Sequence, residues 1–237
     1  MAATSALALR LLGPPAEAIR SVALFGSGYQ AEAQLAGLLA VCQPEAVRVF
    51  SPRPQRRRAF VARLSPSTAA AGVQLEEASS PEAAVTDAQL VVCATNAMAQ
   101  VVRPDWLRPG MHVSCIKKQE ISAESLQRCD RVVVATPSNT RTVLAGVTEE
   151  RVRGEAAGRS WWTQQPFHWD SLPDLAELLG DPAGTGRQRP DEITAYVGLG
   201  SGVQFAAACA MVHEAAVRDG VGRALPDEWF LQDVAQE

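Results

Sequence analysis

Val22-Ala23-Leu24-Phe25-Gly26-Ser27-Gly28-Tyr29-Gln30-Ala31 runs from four apolar residues into two glycines and then into an alanine- and leucine-rich stretch. The order reads as strand, tight turn, helix. Gly26, Gly28 and Ala31 stand at the three small-residue positions of a G-x-G-x-x-A turn. In such a turn the first glycine reverses the chain, the second lets backbone approach a pyrophosphate, and the third small residue lets helix and strand pack closely. The free N–H groups of the helix's first turn, and the positive end of its dipole, then face the phosphates. An ordinary strand-to-helix turn can carry the same string, so the context decides.

Outward from that turn, strand-like and helix-like stretches alternate. A helical pattern over residues 3–12 ends at Gly13-Pro14-Pro15, and the leucines after the glycine turn make a helix from about 30 to 41. Val47–Phe50 suits a central parallel strand, Pro54 opens a helix reaching about Leu64, and Val73–Leu75 is a candidate third strand. Ser80-Pro81-Glu82 has the cap and first-turn proline of a short helix, and Leu90–Ala94 is the most strand-like run of the chain. Trp106–Gly110 reads as a short helix and turn; strands at His112–Ile116 and Arg131–Ala135 flank a helix near 122–128. Within a less regular span, 137–190, only Leu172–Leu179 reads clearly as a helix; a strand at Glu192–Val197 and a long helix at Gly202–Val217 follow. The expected fold class is α/β, a Rossmann-type doubly wound parallel sheet with helices on both faces. Strand order is not readable from such a pattern.

The whole-chain numbers narrow the partners. With 237 residues, 47% hydrophobic and 20% charged, the chain is long enough for one large domain, and a net charge of -4 gives no pull toward nucleic acid or an anionic membrane. No apolar run approaches the roughly 18 residues of a membrane span. Five cysteines, odd in number, widely spaced and without a C-x-x-C pair, point to reduced thiols in a cytoplasmic protein. His112 and Cys115, three apart on a strand, face opposite sides, so no metal site is expected.

The cofactor reading comes from the strand ends. An NAD site would place a carboxylate at the end of the second strand, to accept hydrogen bonds from the ribose hydroxyls. Here that strand ends in Phe50-Ser51-Pro52-Arg53, followed by Arg56, Arg57 and Arg58. A hydroxyl and guanidinium forks suit a 2′-phosphate, so NADP(H) is favoured over NAD(H). Thr95 and Asn96 end the fourth strand, where it enters the crevice of an open parallel sheet. Lys117, Lys118 and Glu120 follow the fifth strand at the same edge; a lysine there could polarise an imine or carboxylate, while a plain charged loop explains the same residues. Trp161, Trp162 and Trp169 could wall an apolar pocket or pack in the core.

The ordered set of stretches resembles the ornithine cyclodeaminase/mu-crystallin family: Ala2–Ala8, Phe25–Ala31, Val47–Pro52, Asp87–Asn96, Leu107–Val113 and Cys129–Val134, with Gly186-Arg187 and Asp191–Thr194 later. Gln30, two places after the second glycine, sets the family apart from generic dinucleotide folds. The resemblance implies a nicotinamide cofactor, an amino acid or cyclic imino acid as substrate, and hydride transfer at the carbon bearing nitrogen, in ketimine reduction or cyclodeamination. By position it assigns Gly26, Ser27, Gly28, Tyr29 and Gln30 to the pyrophosphate, Ser51, Arg53 and Arg57 to the adenine ribose, and Thr95 and Asn96 to the length of the cofactor.

It further implies a dinucleotide-binding domain at 21–180, with 1–20 and 180–237 as flanking remnants of a substrate and dimerisation part, most of whose N-terminal domain is lacking. The catalytic group is unknown; Lys117, which stands where the family often has a glycine, Glu149 and Asp170 are candidates. The alternative is a non-catalytic NADP(H)-binding domain or one half of a split enzyme. The oligomeric state stays open, a homodimer included.

Overall fold

The computed structural model describes residues 1–97, 99–135, 169–198, 200, 202–226 and 229. It divides into two compact units, Met1–Gly200 and Ser201–Glu237. In the second, the helix Gly202–Arg218 presents Val203, Phe205, Met211 and Val212 as exposed apolar side chains.

The first unit is built on a parallel sheet of seven strands: β1 (Ser21–Phe25), β2 (Ala46–Phe50), β3 (Gln74–Glu77), β4 (Leu90–Cys93), β5 (His112–Cys115), β6 (Arg131–Val134) and β7 (Thr194–Val197). Their order is β3-β2-β1-β4-β5-β7-β6. The chain runs outward from β1 in one direction and from β4 in the other, so the crevice between the ends of β1 and β4 is the topological switch point. β1 registers with β2 from Ser21↔Ala46 to Phe25↔Phe50 and with β4 from Val22↔Leu90 to Phe25↔Cys93, which brings their C-terminal ends level.

Strands β1, β4, β5 and β7 are buried throughout, as parallel strands covered by helices are, while β2 and the edge strand β3 are only partly covered. Val22, Leu24, Val47, Val49, Leu90 and Val92 pack with Leu35, Leu38 and Phe60 of two helices, α2 (Tyr29–Leu39) and α3 (Pro54–Ala70). The alternate residues, among them Ala23, Phe25, Val91, Cys93, Val113 and Cys115, pack with Ala84, Val85, Trp106 and Leu126 on the other face. A third cluster joins Ala8 and Leu12 of α1 (Ala2–Leu12) to Val133, Tyr196 and Leu178.

One helix departs from its expected bounds, and one expected strand takes a place that the sequence does not show. Helix α3 continues past Leu64 to Ala70 with Pro66 inside it. The hydroxyls of Ser65, Ser67 and Thr68 donate to the carbonyls of Val61, Leu64 and Ser65 around the proline, which keeps the turn hydrogen-bonded where an N–H is missing. The strand expected at Glu192–Val197 forms as β7, but it slots between β5 and β6, and α1 lies in the same compact unit.

Candidate cofactor site

At the C-terminal ends of β1, β2 and β4 opens a crevice of about 970 Å³. Gly26 stands at its floor with φ +122, and a Cβ there would lie 2.2 Å from the carbonyl oxygen of Ala94. Only glycine satisfies both the positive φ and the contact. The N–H of Gly26 donates to the Phe50 carbonyl at 2.8 Å, so the turn is pinned to β2 as well as pressed on β4. Ala31 is fully buried beside it, and a larger third residue would hold α2 away from the turn. Gly28 caps α2 without a side-chain bond, and a Cβ on it would meet nothing within 4 Å. The space above Gly28 and the uncapped first-turn N–H groups of α2 form a cradle for an anion.

Nine of the ten residues expected at the cofactor line this one crevice: Gly26, Ser27, Gly28, Tyr29, Gln30, Ser51, Arg53, Thr95 and Asn96. Ser27 and Ser51 join their hydroxyls at 2.9 Å across the gap between the glycine turn and the end of β2. The tenth, Arg57, does not line it. Its guanidinium lies over Phe50, donates to the Ser51 carbonyl at 2.9 Å and pairs with Glu77 at 3.2 Å, because β3 ends with that carboxylate next to α3. Glu77 also reaches Arg58 at 3.7 Å. Arg56 lines the crevice where Arg57 does not: like Arg53 it is exposed and forms no ion pair among the described residues.

The wall of the crevice is apolar. Trp106 stacks on Phe25 with centroids 5.7 Å apart, and Phe50 meets Phe25 edge-on at 6.1 Å. Of the aromatics singled out by sequence, Trp161 and Trp162 lie outside the described residues; Trp169 is buried, with the Lys118 ammonium 4.5 Å from its ring centroid. Trp106, which does line the crevice, sits in Trp106-Leu107-Arg108-Pro109-Gly110, a stretch read as a short helix and turn with no part in a site.

A fully buried carboxylate, Glu120, sits behind the crevice and ties its two loops together. Its Oε1 accepts from the N–H and hydroxyl of Thr95 at 2.6 and 2.8 Å, and its Oε2 accepts from the N–H groups of Ile116 and Lys117 at 2.9 and 3.3 Å. Burial pushes its carboxyl above the ordinary value, while the bonds from Thr95 and Ile116 pull the other way. The Thr95 hydroxyl is thereby committed, since it also accepts from the Ala97 N–H at 3.2 Å. Asn96, by contrast, is exposed.

Among the catalytic candidates, Lys117 is half-buried just past β5 and does not line the crevice. Glu149 lies outside the described residues, as does the side chain of Asp170, whose backbone belongs to the 3₁₀ turn Trp169–Ser171. No group of three or more metal-ligating side chains occurs among the described residues, and no helix there is long and apolar enough to cross a membrane.

The model of the ornithine cyclodeaminase/mu-crystallin family matches residues 1–220. The chain is 32% identical over 205 residues, 84% of its length and 59% of the relative's, to the NAD(P)H-dependent anabolic L-arginine dehydrogenase DauB of Pseudomonas aeruginosa. It is 31% identical over 147 residues, 59% of its length and 40% of the relative's, to an ornithine cyclodeaminase of Agrobacterium fabrum. Among solved structures, a lysine cyclodeaminase described for its recognition of L-lysine, L-ornithine and L-2,4-diaminobutyric acid superposes with TM-score 0.71 and 26% identity, over 92% of this chain and 58% of that one. The Thermococcus litoralis Δ1-pyrroline-2-carboxylate reductase, solved with NADH and L-proline, shares the fold at TM-score 0.73 and 21% identity, over 94% of this chain and 66% of that one. The chain spans about six-tenths of the length of DauB and about four-tenths of that of the ornithine cyclodeaminase.

Proposed function

Because the chain belongs to the ornithine cyclodeaminase/mu-crystallin family, we propose that it holds a nicotinamide dinucleotide, NADP(H) before NAD(H), in the crevice at the switch point. We propose too that the cofactor there exchanges hydride with the nitrogen-bearing carbon of an amino acid or cyclic imino acid. The observation that carries this reading is the convergence on one crevice of the glycine turn, the Ser27–Ser51 hydroxyl pair, two arginines without ion pairs among the described residues and the end of β4.

The residues fit such a group. Gly28 leaves room for a pyrophosphate above the first turn of α2, whose N–H groups are free to donate. Ser51 stands where a NAD site keeps a carboxylate, and a neutral hydroxyl does not repel a 2′-phosphate. Arg53 and Arg56 bring two permanent charges to that end, with no acidic partner to neutralise them among the described residues. Phe25, Phe50 and Trp106 keep water from one wall of the crevice. A bound nicotinamide supplies the hydride chemistry; the protein supplies position and electrostatics.

Titration of the purified chain with NADPH and NADH, followed by measurement of NADPH oxidation with cyclic imines, tests the reading. Binding of NADPH in preference to NADH, with oxidation, is the expected result, and binding of neither overturns it. A second reading, cofactor binding without turnover, draws support from the crevice itself. Glu82 is the one carboxylate among its described lining residues, and it pairs with Arg103 at 3.6 Å. Binding without oxidation favours this second reading.

A further inference from the structure

The ends of β4 and β5 separate just where the crevice needs them to. Their register runs to Cys93↔Cys115, and the last rung past it is the Ile116 N–H to the Cys93 carbonyl at 3.2 Å. Beyond that point Thr95 and Lys117 have no backbone partner on the neighbouring strand among the described residues. The Glu120 carboxylate takes the missing partner's place, with one oxygen on Thr95 and the other on Lys117, and it is a second acceptor for the Ile116 N–H that also reaches Cys93. The backbone carbonyl of Glu120 extends the same junction, accepting from the N–H groups of Val101 and Val102 at 2.9 Å each. One buried residue therefore fixes three segments, of which Thr95, Ile116 and Val101 line the crevice.

The direction of the cofactor follows from the other end. With the adenine ribose at the tip of β2 and the pyrophosphate over the glycine turn, the remaining half must run toward β4 and β5. We propose that Glu120 is a positioning residue for the nicotinamide half of the site, holding the β4 and β5 loops at the spacing that the nicotinamide ring and its substrate require. The inference rests on the dinucleotide reading above. It does not depend on the choice between the phosphorylated and unphosphorylated cofactor.

Glu120→Gln separates this role from a merely structural one. An amide replaces one acceptor oxygen with an NH₂ group, and whichever way it turns, that group confronts a backbone N–H of Thr95 or of Ile116. Isothermal titration compares the wild type and the variant with two ligands: the dinucleotide the wild type binds, and its adenine half alone, 2′,5′-ADP for NADPH or 5′-ADP for NADH. The expected result is a loss of about 10-fold for the dinucleotide, with the adenine fragment unchanged within about twofold. Equal losses for both ligands, or no loss for either, overturn the inference and leave the cofactor reading standing. A wild type that binds neither ligand overturns both.

Should Glu120→Gln fail to give a cooperative thermal transition, Thr95→Val carries the same test, since it deletes one hydroxyl donor and keeps the backbone bond. A loss of about threefold confined to the dinucleotide, restored by Thr95→Ser, supports the inference. A loss shared by the fragment, or none, defeats it.

Discussion

The two edges of the sheet carry polar networks of similar richness and opposite use. At the N-terminal edge, Arg187 donates to the carbonyls of Leu12, Pro190, Glu192 and Met111 and to the Thr194 hydroxyl. Thr194 in turn donates to the Leu12 carbonyl at 2.7 Å, so its oxygen must accept from His112 Nδ1 at 2.8 Å. This fixes the His112 proton on Nδ1 and closes a knot among α1, β5 and β7 in which the donors are spent on the protein's own carbonyls and hydroxyl. At the C-terminal edge, Glu120 is spent in the same way, but in the crevice Gly28 leaves open space, Asn96 is exposed, and Arg53 and Arg56 form no ion pair among the described residues. Perturbing the first edge should cost stability, and perturbing the second should cost binding.

The glycine turn is where that division breaks, and it gives the largest expected effect. Gly26→Ala forces a Cβ to within 2.2 Å of the Ala94 carbonyl at a positive φ, so β1 and β4 must part. The expected outcome is a destabilisation of about 3 kcal/mol or more together with loss of NADPH binding. Gly28→Ala, two residues on, meets no protein atom within 4 Å and has an ordinary negative φ of -108. It should cost less than about 1 kcal/mol in urea denaturation, the usual penalty of alanine at a helix cap, yet weaken NADPH by at least about 10-fold through the space it fills. If the two variants behave alike in both measurements, the cradle above Gly28 is not where a pyrophosphate sits.

The N-terminal knot should show itself through pH. Burial, reinforced by the positive charge of Arg187, pushes His112 down from 6.5 to about 3. Between those values the unfolded chain binds a proton that the folded chain refuses, so its contribution is full above pH 6.5 and is lost as pH falls toward 3. The slope attributable to this one residue reaches at most about 1.4 kcal/mol per pH unit. Urea midpoints measured between pH 7 and pH 4.5 should fall in the wild type, and His112→Asn, which keeps a donor for Thr194 but does not titrate, should flatten part of the fall. An unchanged slope in that variant would show that carboxylates elsewhere dominate the acid response.

How much of this was legible in the sequence differs along the same line. The first strand, its turn and α2 were readable because the signal is local: an apolar run, two glycines and a helix periodicity within ten residues. The Ser80 cap was readable for the same reason, and its hydroxyl does accept from the Ala83 N–H at 3.1 Å. The position of β7 was not, since it depends on Thr194 meeting His112, Arg187 and Leu12, partners up to 182 residues away. Glu120 lies in Lys117-Lys118-Gln119-Glu120, which reads as a charged loop. The only hint was its place between two isoleucines, Ile116 and Ile121, both buried in the structure. A carboxylate between core residues must be hydrogen-bonded, but no local pattern says to what.

The arginines of α3 offer the smallest expected effect and the finest discrimination. Arg56 and Arg57 are three and four residues from Arg53, and helix spacing alone favours neither as its companion. The choice is made by Glu77 at the end of β3, which captures Arg57 and leaves Arg56 facing the crevice. Arg53→Ala and Arg56→Ala should therefore each weaken NADPH by about 3- to 10-fold while leaving NADH nearly unchanged, as expected for exposed guanidinium groups whose charge is partly screened by solvent. Arg57→Ala should instead weaken both cofactors by a similar small factor, because its bond to the Ser51 carbonyl supports the loop under either ribose. Titrations at low and high salt sharpen the contrast further, since only the two crevice arginines should lose their preference for the phosphorylated cofactor as screening increases. Equal losses of NADPH and NADH in the Arg53 and Arg56 variants would place the 2′-phosphate elsewhere and return the end of β2 to the role of a solvated helix start.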